Sequence, residues 1–333
     1  MIERISRARL AELLSAAEGK RVAVVGDAML DVYLRGEVDR ISPEAPVPVV
    51  RIRERKLALG GAANVANNIV TIGAVCHLVS AVGDDAAGAT LREMLKQVQT
   101  DTRSLVAVSR PTTTKTRVIA RSQQLVRYDE EDDSDLEDEE SGRLIESVTA
   151  AIDQADALVL EDYNKGVLVA AVIAHSIERA KARGIPIVVD PKYRNFFAFR
   201  GATIFKPNRR ELESALGAEV DIDHPSALPA TFERLGVEHL LLTLGEEGMA
   251  LLSADGEVGR IPTTAREVYD VVGAGDTVTA YLATILAAGG TPAEAAVIAN
   301  FAAGVEVGKL GAATVKTAEV LEAYDDFSQQ PAK

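Results

Sequence analysis

Two hydrophobic rhythms alternate along the chain. Short runs of Val, Ile, Leu and Ala are apolar at every position, as strands covered on both faces must be. Such runs occupy Arg21–Asp27, His77–Gly83, Ala157–Tyr163, Ile185–Pro191, Ala202–Asn208 and His239–Gly245. Between them, GAANVANNIVTIG (61–73), GATLREMLKQV (88–98) and VAAVIAHSIERAKARG (169–184) carry the helical pattern. Strand–helix–strand repetition predicts an α/β fold: a doubly wound, mostly parallel sheet with helices on both faces. The strands end on Asp27, Asp162, Asp190, Asn208 and Gly245, and ligands of such sheets bind outside the carboxyl ends of the strands.

Two stretches break the rhythm. Residues Tyr33–Leu59 and Ser109–Glu131 are β-rich with no helix between their strands, and Pro46 and Pro48 flank Val47 as only an edge strand tolerates. They predict a small β-sheet lid over the site, whose edge or face offers a homodimer contact. No repeat or long linker interrupts the chain, so residues 1–333 read as one domain. Only the end, SQQPAK, looks frayed.

Composition narrows the reading. Hydrophobic residues make up 47% and aromatics only 4%, without Trp, so Ala, Val, Leu and Ile must build the core. A net charge of −14 with no dense Lys/Arg cluster argues against nucleic acid as a partner. The densest charge run, Asp129–Glu140, reads as a solvated surface loop leading into a helix. One cysteine, Cys76, can form no internal disulfide. The N-terminal segment is a mixed-charge amphipathic helix without a signal core, and no stretch reads as a membrane span. A cytoplasmic protein is expected.

The candidate chemistry collects at a few glycine-rich stretches. In DVVGAGDTVTA (270–280), Gly273, Ala274 and Gly275 let backbone N–H groups turn toward a ligand. The apolar segment Asp276–Ala288 follows as a buried helix, whose N-terminus adds free donors and a positive dipole end. Together they form an anion hole with Asp276 at its edge, where the dipole should keep the carboxylate ionised. Asn208 and Glu211 in KPNRRELE read equally as magnesium ligands or as a capping box. Thr243, Gly245 and Gly248 in TLGEEGM read as phosphate contacts or as a hairpin turn. In LGGAANVANN, Gly60 and Gly61 precede a helix with Asn64 and Asn68 on one face, amides that suit sugar hydroxyls. Asp27 and Asp31 follow the first strand and can accept several hydroxyl hydrogen bonds, surface solvation being the other reading for Asp31. No GxxxxGK[ST], strand-linked GxGxxG, HExxH, CxxC or GxSxG pattern occurs, and His77, His175, His224 and His239 share no metal spacing.

Taken together, these segments resemble the ribokinase-like (PfkB) carbohydrate kinases over nearly the whole chain. GGAANVA is similar to the family's sugar-side signature, DVVGAGDTVTA to its C-terminal signature, and NRRE to its Asn-x-x-Glu magnesium motif. Their shared order and spacing are more specific than any one of them. Within the family, RISPEAPVPVV, RSQQLVRYD, DYNKG, VVDPK and AAGVEVGKLGAATV are similar to segments of kinases acting on D-glycero-β-D-manno-heptose 7-phosphate. Those kinases make heptose 1,7-bisphosphate on the route to nucleotide-activated heptose for lipopolysaccharide. Some carry a fused adenylyltransferase domain, whose His-x-Gly-His motif is absent here, so a stand-alone kinase is expected. Val271 and Val272 depart from the family, where Thr is common.

The resemblance implies roles residue by residue. Asp276 takes the proton from the anomeric hydroxyl as it attacks the γ-phosphate of ATP, and backbone N–H groups from Gly273 to Asp276 stabilise the transferring group. Asn208 and Glu211 position Mg2+ through water, as the motif implies, and a monovalent cation is admitted. Thr243, Gly245 and Gly248 line the nucleotide phosphates, and Asn300, Ala303 and Gly304 leave room for adenine. On the sugar side stand Asp27, Asp31, Gly60, Gly61, Asn64 and Asn68. Arg121, Lys165 and Lys192 are candidates for the sugar's phosphate, with Lys192 open to the γ-phosphate instead. Two rivals remain: a kinase of the same family for fructose 1-phosphate or ribose, and a non-catalytic sugar or nucleotide sensor on the same fold.

Overall fold

The computed structural model describes residues 5–121, 123–222, 228–265 and 268–329. His224 and the end of the chain past residue 329 lie outside these. The chain begins with α1 (Arg7–Ala16), then β1 (Arg21–Gly26), β2 (Ala28–Ile41), β3 (Pro48–Gly61), α2 (Ala62–Ile72), β4 (Val75–Gly83) and α3 (Ala86–Gln97). It continues through β5 (Leu105–Val108), β6 (Thr114–Ala120), β7 (Gln123–Glu130), α4 (Asp138–Gln154), β8 (Ala157–Glu161), α5 (Ala170–Arg183) and β9 (Ile187–Asp190). Then come β10 (Ile204–Phe205), α6 (Arg209–Leu216), α7 (Leu228–Leu235), β11 (His239–Thr243), β12 (Met249–Ser253) and β13 (Val258–Ile261). Helices α8 (Ala274–Ala287), α9 (Pro292–Glu306) and α10 (Thr317–Ser328) close the chain.

The main sheet has the order β13-β12-β11-β10-β9-β8-β1-β4-β5, parallel from β5 through β11 and antiparallel across β12 and β13. The order reverses beside β1: β4 and β5 extend one way, β8 to β11 the other. This switch point is where an open α/β sheet leaves a crevice for ligand. Alternation along the strands divides the core. Val22, Val24, Val159 and Val188 face α1, α2, α8 and α9, while Ala23, Val25, Leu158, Leu160 and Val189 face α4 and α5. The doubly wound, mostly parallel α/β sheet expected from the sequence is present. The strand read at 202–208 shrinks to Ile204–Phe205, because Lys206 and Pro207 already belong to the rim. Strands β5 and β13 are additions, each only four residues long.

The second sheet has the order β3-β2-β6-β7; β2 pairs β6 in parallel and the other pairs are antiparallel. It begins at Ala28 rather than at Tyr33, so Asp31 lies inside a strand and not in a loop after β1. Strand β3 starts on Pro48 and forms one edge, as a residue lacking an N–H requires. Among the described residues no helix is long and apolar enough to cross a membrane.

Candidate active site

The register of the main sheet assembles a polar row at its carboxyl rim. Gly26 of β1 pairs with Glu161 of β8, and Glu161 pairs with Asp190 of β9. These residues share parity with Val24, Val159 and Val188, so Glu161 and Asp190 project toward the α8 face. Lys206, one residue past β10, continues the row and donates to Asp190 Oδ2 at 2.9 Å. All are buried; Glu161 is 0% exposed.

Helix α8 lies over this row. Gly273 is its N-cap at φ +98, and an added Cβ there would stand 3.2 Å from both Asn64 Nδ2 and Glu306 Oε1. The helix starts at Ala274, two residues earlier than expected, so Asp276 lies in its first turn. Asn64 of α2 donates to Asp276 Oδ2 at 2.7 Å, and the Tyr163 hydroxyl donates to Oδ1 at 2.8 Å. The carboxylate expected to stay ionised does so at neutral pH, but with less margin than the helix dipole alone would give. Burial pushes its pKa up to about 6, with Asp190 adding to the rise against Asn64, Tyr163 and Lys206.

A cavity of about 730 Å³ opens from Asp276 along the first turn of α8. Gly273, Ala274 and Gly275 form one wall, and Thr243, Gly245 and Gly248 another. Asn300, Ala303 and Gly304 of α9 stand across from them, where Asn300 donates to Pro262 O at 2.9 Å. Asn208 and Glu211 also line it, and they do form the capping box of α6, Asn208 Oδ1 accepting from Glu211 N at 2.8 Å. Glu211 keeps a second bond, to Lys192 Nζ at 2.7 Å. Lys192 therefore stands on the cavity side, also 3.8 Å from Asp190. Its ammonium lies 5.3 Å from the Tyr163 ring.

The other side of Tyr163 differs from expectation in several places. Asp27 is spent on the backbone: it accepts from the N–H groups of Tyr163, Lys165 and Val167 at 2.7–3.1 Å, so DYNKG wraps an internal anion. Burial raises its pKa against those three donors. Asn68 donates to Asn64 O at 3.0 Å and accepts from Thr277 Oγ1 at 3.2 Å, clamping α2 to α8 rather than facing a ligand. Asp31 is buried, not solvated, and pairs with Arg117 at 2.6 Å; Gly60 leaves room beside it. At Gly61, φ is +56 and an added Cβ would meet Asp27 O at 2.4 Å, which fixes the β3–α2 corner. Arg121 sits at the exposed β6–β7 turn and is not brought to the cluster. Lys165 is, but it is bound to Glu131 at 2.7 Å. The acidic segment is mostly exposed and leads into α4, as expected, but it is also partnered: Glu131 and Asp133 pair with Lys165 and Arg194, and Glu140 caps α4 and accepts from Ser109 N.

Several participants escaped the sequence reading. Tyr163, Glu161, Lys206, Lys115 and Arg117 belong to strand ends or to the second sheet, and only three-dimensional register brings them together. Lys115 lies 5.3 Å from the Tyr163 ring and makes no ion pair among the described residues. Burial lowers its pKa. The one available signal was the DYNKG turn, whose polar residues follow directly on an apolar strand.

Comparison with known proteins places the chain in a family. Residues 20–318 match the pfkB family of carbohydrate kinases. The chain is 44% identical over 317 residues to the bifunctional protein HldE of Rhodospirillum rubrum, covering 94% of this chain and 64% of that one. It is 48% identical over 303 residues to the bifunctional protein HldE of Gluconacetobacter diazotrophicus, covering 90% and 63%. The chain therefore spans a little under two thirds of the length of these curated relatives. Among solved structures, Escherichia coli phosphofructokinase-2 in complex with potassium superposes with a TM-score of 0.79 at 19% identity, covering 93% of this chain and 100% of that one. Arabidopsis thaliana ribokinase complexed with ribose and ATP gives 0.72 at 21% identity, covering 92% and 98%.

The Asp276 carboxyl should titrate near pH 6, readable by carbon-13 NMR of labelled aspartate. Tyr163→Phe removes a donor to the charged form, so the midpoint should move up, by as much as about one pH unit. A pKa raised from 3.8 to about 6 contributes stability that is full below the lower value and lost as pH rises through the upper. Asp276→Asn should therefore gain on the native chain between about pH 4 and about pH 8, by up to about 3 kcal/mol in denaturant unfolding.

Proposed function

The chain belongs to the pfkB family of carbohydrate kinases, and we propose that it phosphorylates the C1 hydroxyl of D-glycero-β-D-manno-heptose 7-phosphate with ATP. The observation that carries the catalytic part is the placement of Asp276, a buried carboxylate held by two donors where the cavity meets the N-terminus of α8. Such a group can be a general base: its pKa lies just below neutral pH, and one face remains toward the cavity.

In this reading, the sugar sits on the Tyr163 side and the nucleotide in the cavity. The C1 oxygen gives its proton to Asp276 as its electron pair forms the bond to the γ-phosphorus. The bond from that phosphorus to the β–γ bridging oxygen breaks, and ADP leaves with the electron pair. The N–H groups at Gly275 and Asp276, free at the start of α8, offer donors to the transferring group, whereas that of Ala274 donates to Val271 O at 3.4 Å. Lys206 and Lys192 add positive charge beside it. Thr243, Gly245, Gly248, Asn300, Ala303 and Gly304 suit the nucleotide because their small side chains leave the cavity open. Asn208 and Glu211 offer the oxygen ligands that magnesium takes, and Glu211 accepts from the Lys192 ammonium at 2.7 Å. Bound there, the ion would neutralise phosphate charge. The monovalent cation belongs to the same proposal.

The heptose assignment rests on the segments named above and on the cations beyond Tyr163. Lys115 and Lys165 are better placed than Arg121 to meet a sugar phosphate, because both approach the Tyr163 turn. Asp31, Asn64, Gly60 and Gly61 shape the space between. The second sheet would then act as a lid on this side of one kinase domain spanning residues 1–333. Its exposed Ile41, Val47, Val126 and Tyr128 favour a homodimer through that sheet.

Asp276→Asn should lower kcat by about 10²–10⁴-fold with the KM for ATP little changed. ADP release should be fast with the heptose 7-phosphate and slow with fructose 1-phosphate, fructose 6-phosphate or ribose. Preference for one of the others would keep the kinase and discard the heptose. Lys115→Met should raise KM for the phosphorylated sugar by about tenfold or more and leave that for ATP unchanged, as loss of a charge-assisted contact requires. Light scattering at assay concentration should give twice the chain mass; a monomer would remove the dimer proposal.

A further inference from the structure

Glu161 is the group in this site that the mechanism leaves idle. It is fully buried at the end of β8, and neither of its carboxyl oxygens finds a donor among the described residues. One oxygen each from Glu161, Asp190 and Asp276 lies within 4.8 Å of the others. The strand register forces this, since Glu161 and Asp190 are Cα partners on adjacent parallel strands and point to the same face.

The surrounding charges do not permit three anions. Lys206 is the fully enclosed cation, and its ammonium is bonded to Asp190. Lys192 reaches Asp190 only at 3.8 Å and is bonded to Glu211. From the β1 side comes Gly26, with no side chain, and from the β8 turn comes Tyr163, whose hydroxyl is given to Asp276. An ionised Glu161 would be an unpaired buried charge beside two others, which costs several kcal/mol. One proton removes both problems, because it neutralises the group and turns an unpartnered acceptor into a donor.

We propose that Glu161 is a positioning residue, a neutral carboxylic acid that donates a hydrogen bond to Asp190 and so holds the Asp190–Lys206 pair beneath the first turn of α8. The seat is close: a Cβ on Gly275 would lie 3.7 Å from Lys206 Nζ and 3.8 Å from Asp190 Oδ2. Directions of ionisation agree. Burial, then Asp190 and Asp276, drives Glu161 far above the carboxylate range. Burial would raise Asp190 too, but Lys206 and Lys192, with the bond from Glu161, hold it below. The neutral acid leaves Asp276 as the anion free to accept a proton. The role at Asp276 rests on the kinase reading, whereas the protonation of Glu161 does not.

The test compares Glu161→Gln and Glu161→Leu with the native chain. Infrared spectra at neutral pH should show a protonated carboxylic acid band in the native protein that both variants lack; this readout needs no turnover. Glu161→Leu should lose about tenfold or more in kcat, and Glu161→Gln, a neutral donor of similar shape, should recover most of it. The acid limb of kcat/KM should stay within about 0.3 pH units in Glu161→Gln, because no charge is removed. Were Glu161 ionised, that variant would lower the limb by about one unit or more, and the band would not change. Either result overturns the proposal, as does full activity in Glu161→Leu. Should the Leu variant fail to fold, the Gln variant and the band decide. Absence of turnover in the native chain with every sugar tested would count against the kinase reading and leave the infrared result standing.

Discussion

The first turn of α8 rests on the carboxyl ends of four strands, and nearly every polar group in that contact is buried. A helix N-terminus brings unpaired N–H groups and a positive dipole end, which a dry interior penalises. Here the strand ends beneath it supply Glu161, Asp190 and Lys206 in one row, with Asn64 and Tyr163 closing on Asp276 from either side. The remainder of α8 is buried nearly throughout, and Thr277 is tied to Asn68 of α2. The open donors of the helix are therefore left toward the cavity. The same burial that makes Asp276 costly to ionise places its pKa where a base working near neutral pH is effective.

Tyr163 divides the two sides of this arrangement. Its hydroxyl fixes Asp276, while its ring has Lys192 on the cavity side and Lys115 from the second sheet, each ammonium 5.3 Å away. The turn that carries it is fixed in turn by Asp27, whose carboxylate gathers three backbone N–H groups. A chain of net charge −14 thus keeps its cations at the site by pairing them with its own carboxylates: Glu131 with Lys165, Glu211 with Lys192, Asp31 with Arg117. Long acidic runs are ordinarily solvated. This one is largely exposed too, but its start is partnered because it follows directly on β7, at the edge of the second sheet.

Much of the fold was legible in the sequence because both kinds of element write their burial into it. All-apolar runs such as RVAVVG and ALVLE can only be strands covered on both faces, and the helices between them dictate a parallel order. The glycine loop before Asp276 and the glycines before Asn64 were legible too, since few local structures need such residues. Asn208 and Glu211 could not be resolved by spacing alone, because a capping box and a pair of oxygen ligands use the same residues three apart.

What the sequence alone determined was the alternation of layers and the residues at the strand ends, both of which follow from local periodicity. Which strand ends stand side by side is a property of sheet order. Glu161 and Asp190 are 29 positions apart and Asn64 and Asp276 are 212 apart, by their numbers along the chain, yet each pair meets in the fold. Only the tertiary structure decided that Asp27 would serve the backbone, that Asn68 would join two helices, and that Lys115 rather than Arg121 would approach the site. The reason is the same in each case. A polar side chain's role is set by the partners that burial leaves within reach, and those partners come from elsewhere in the chain.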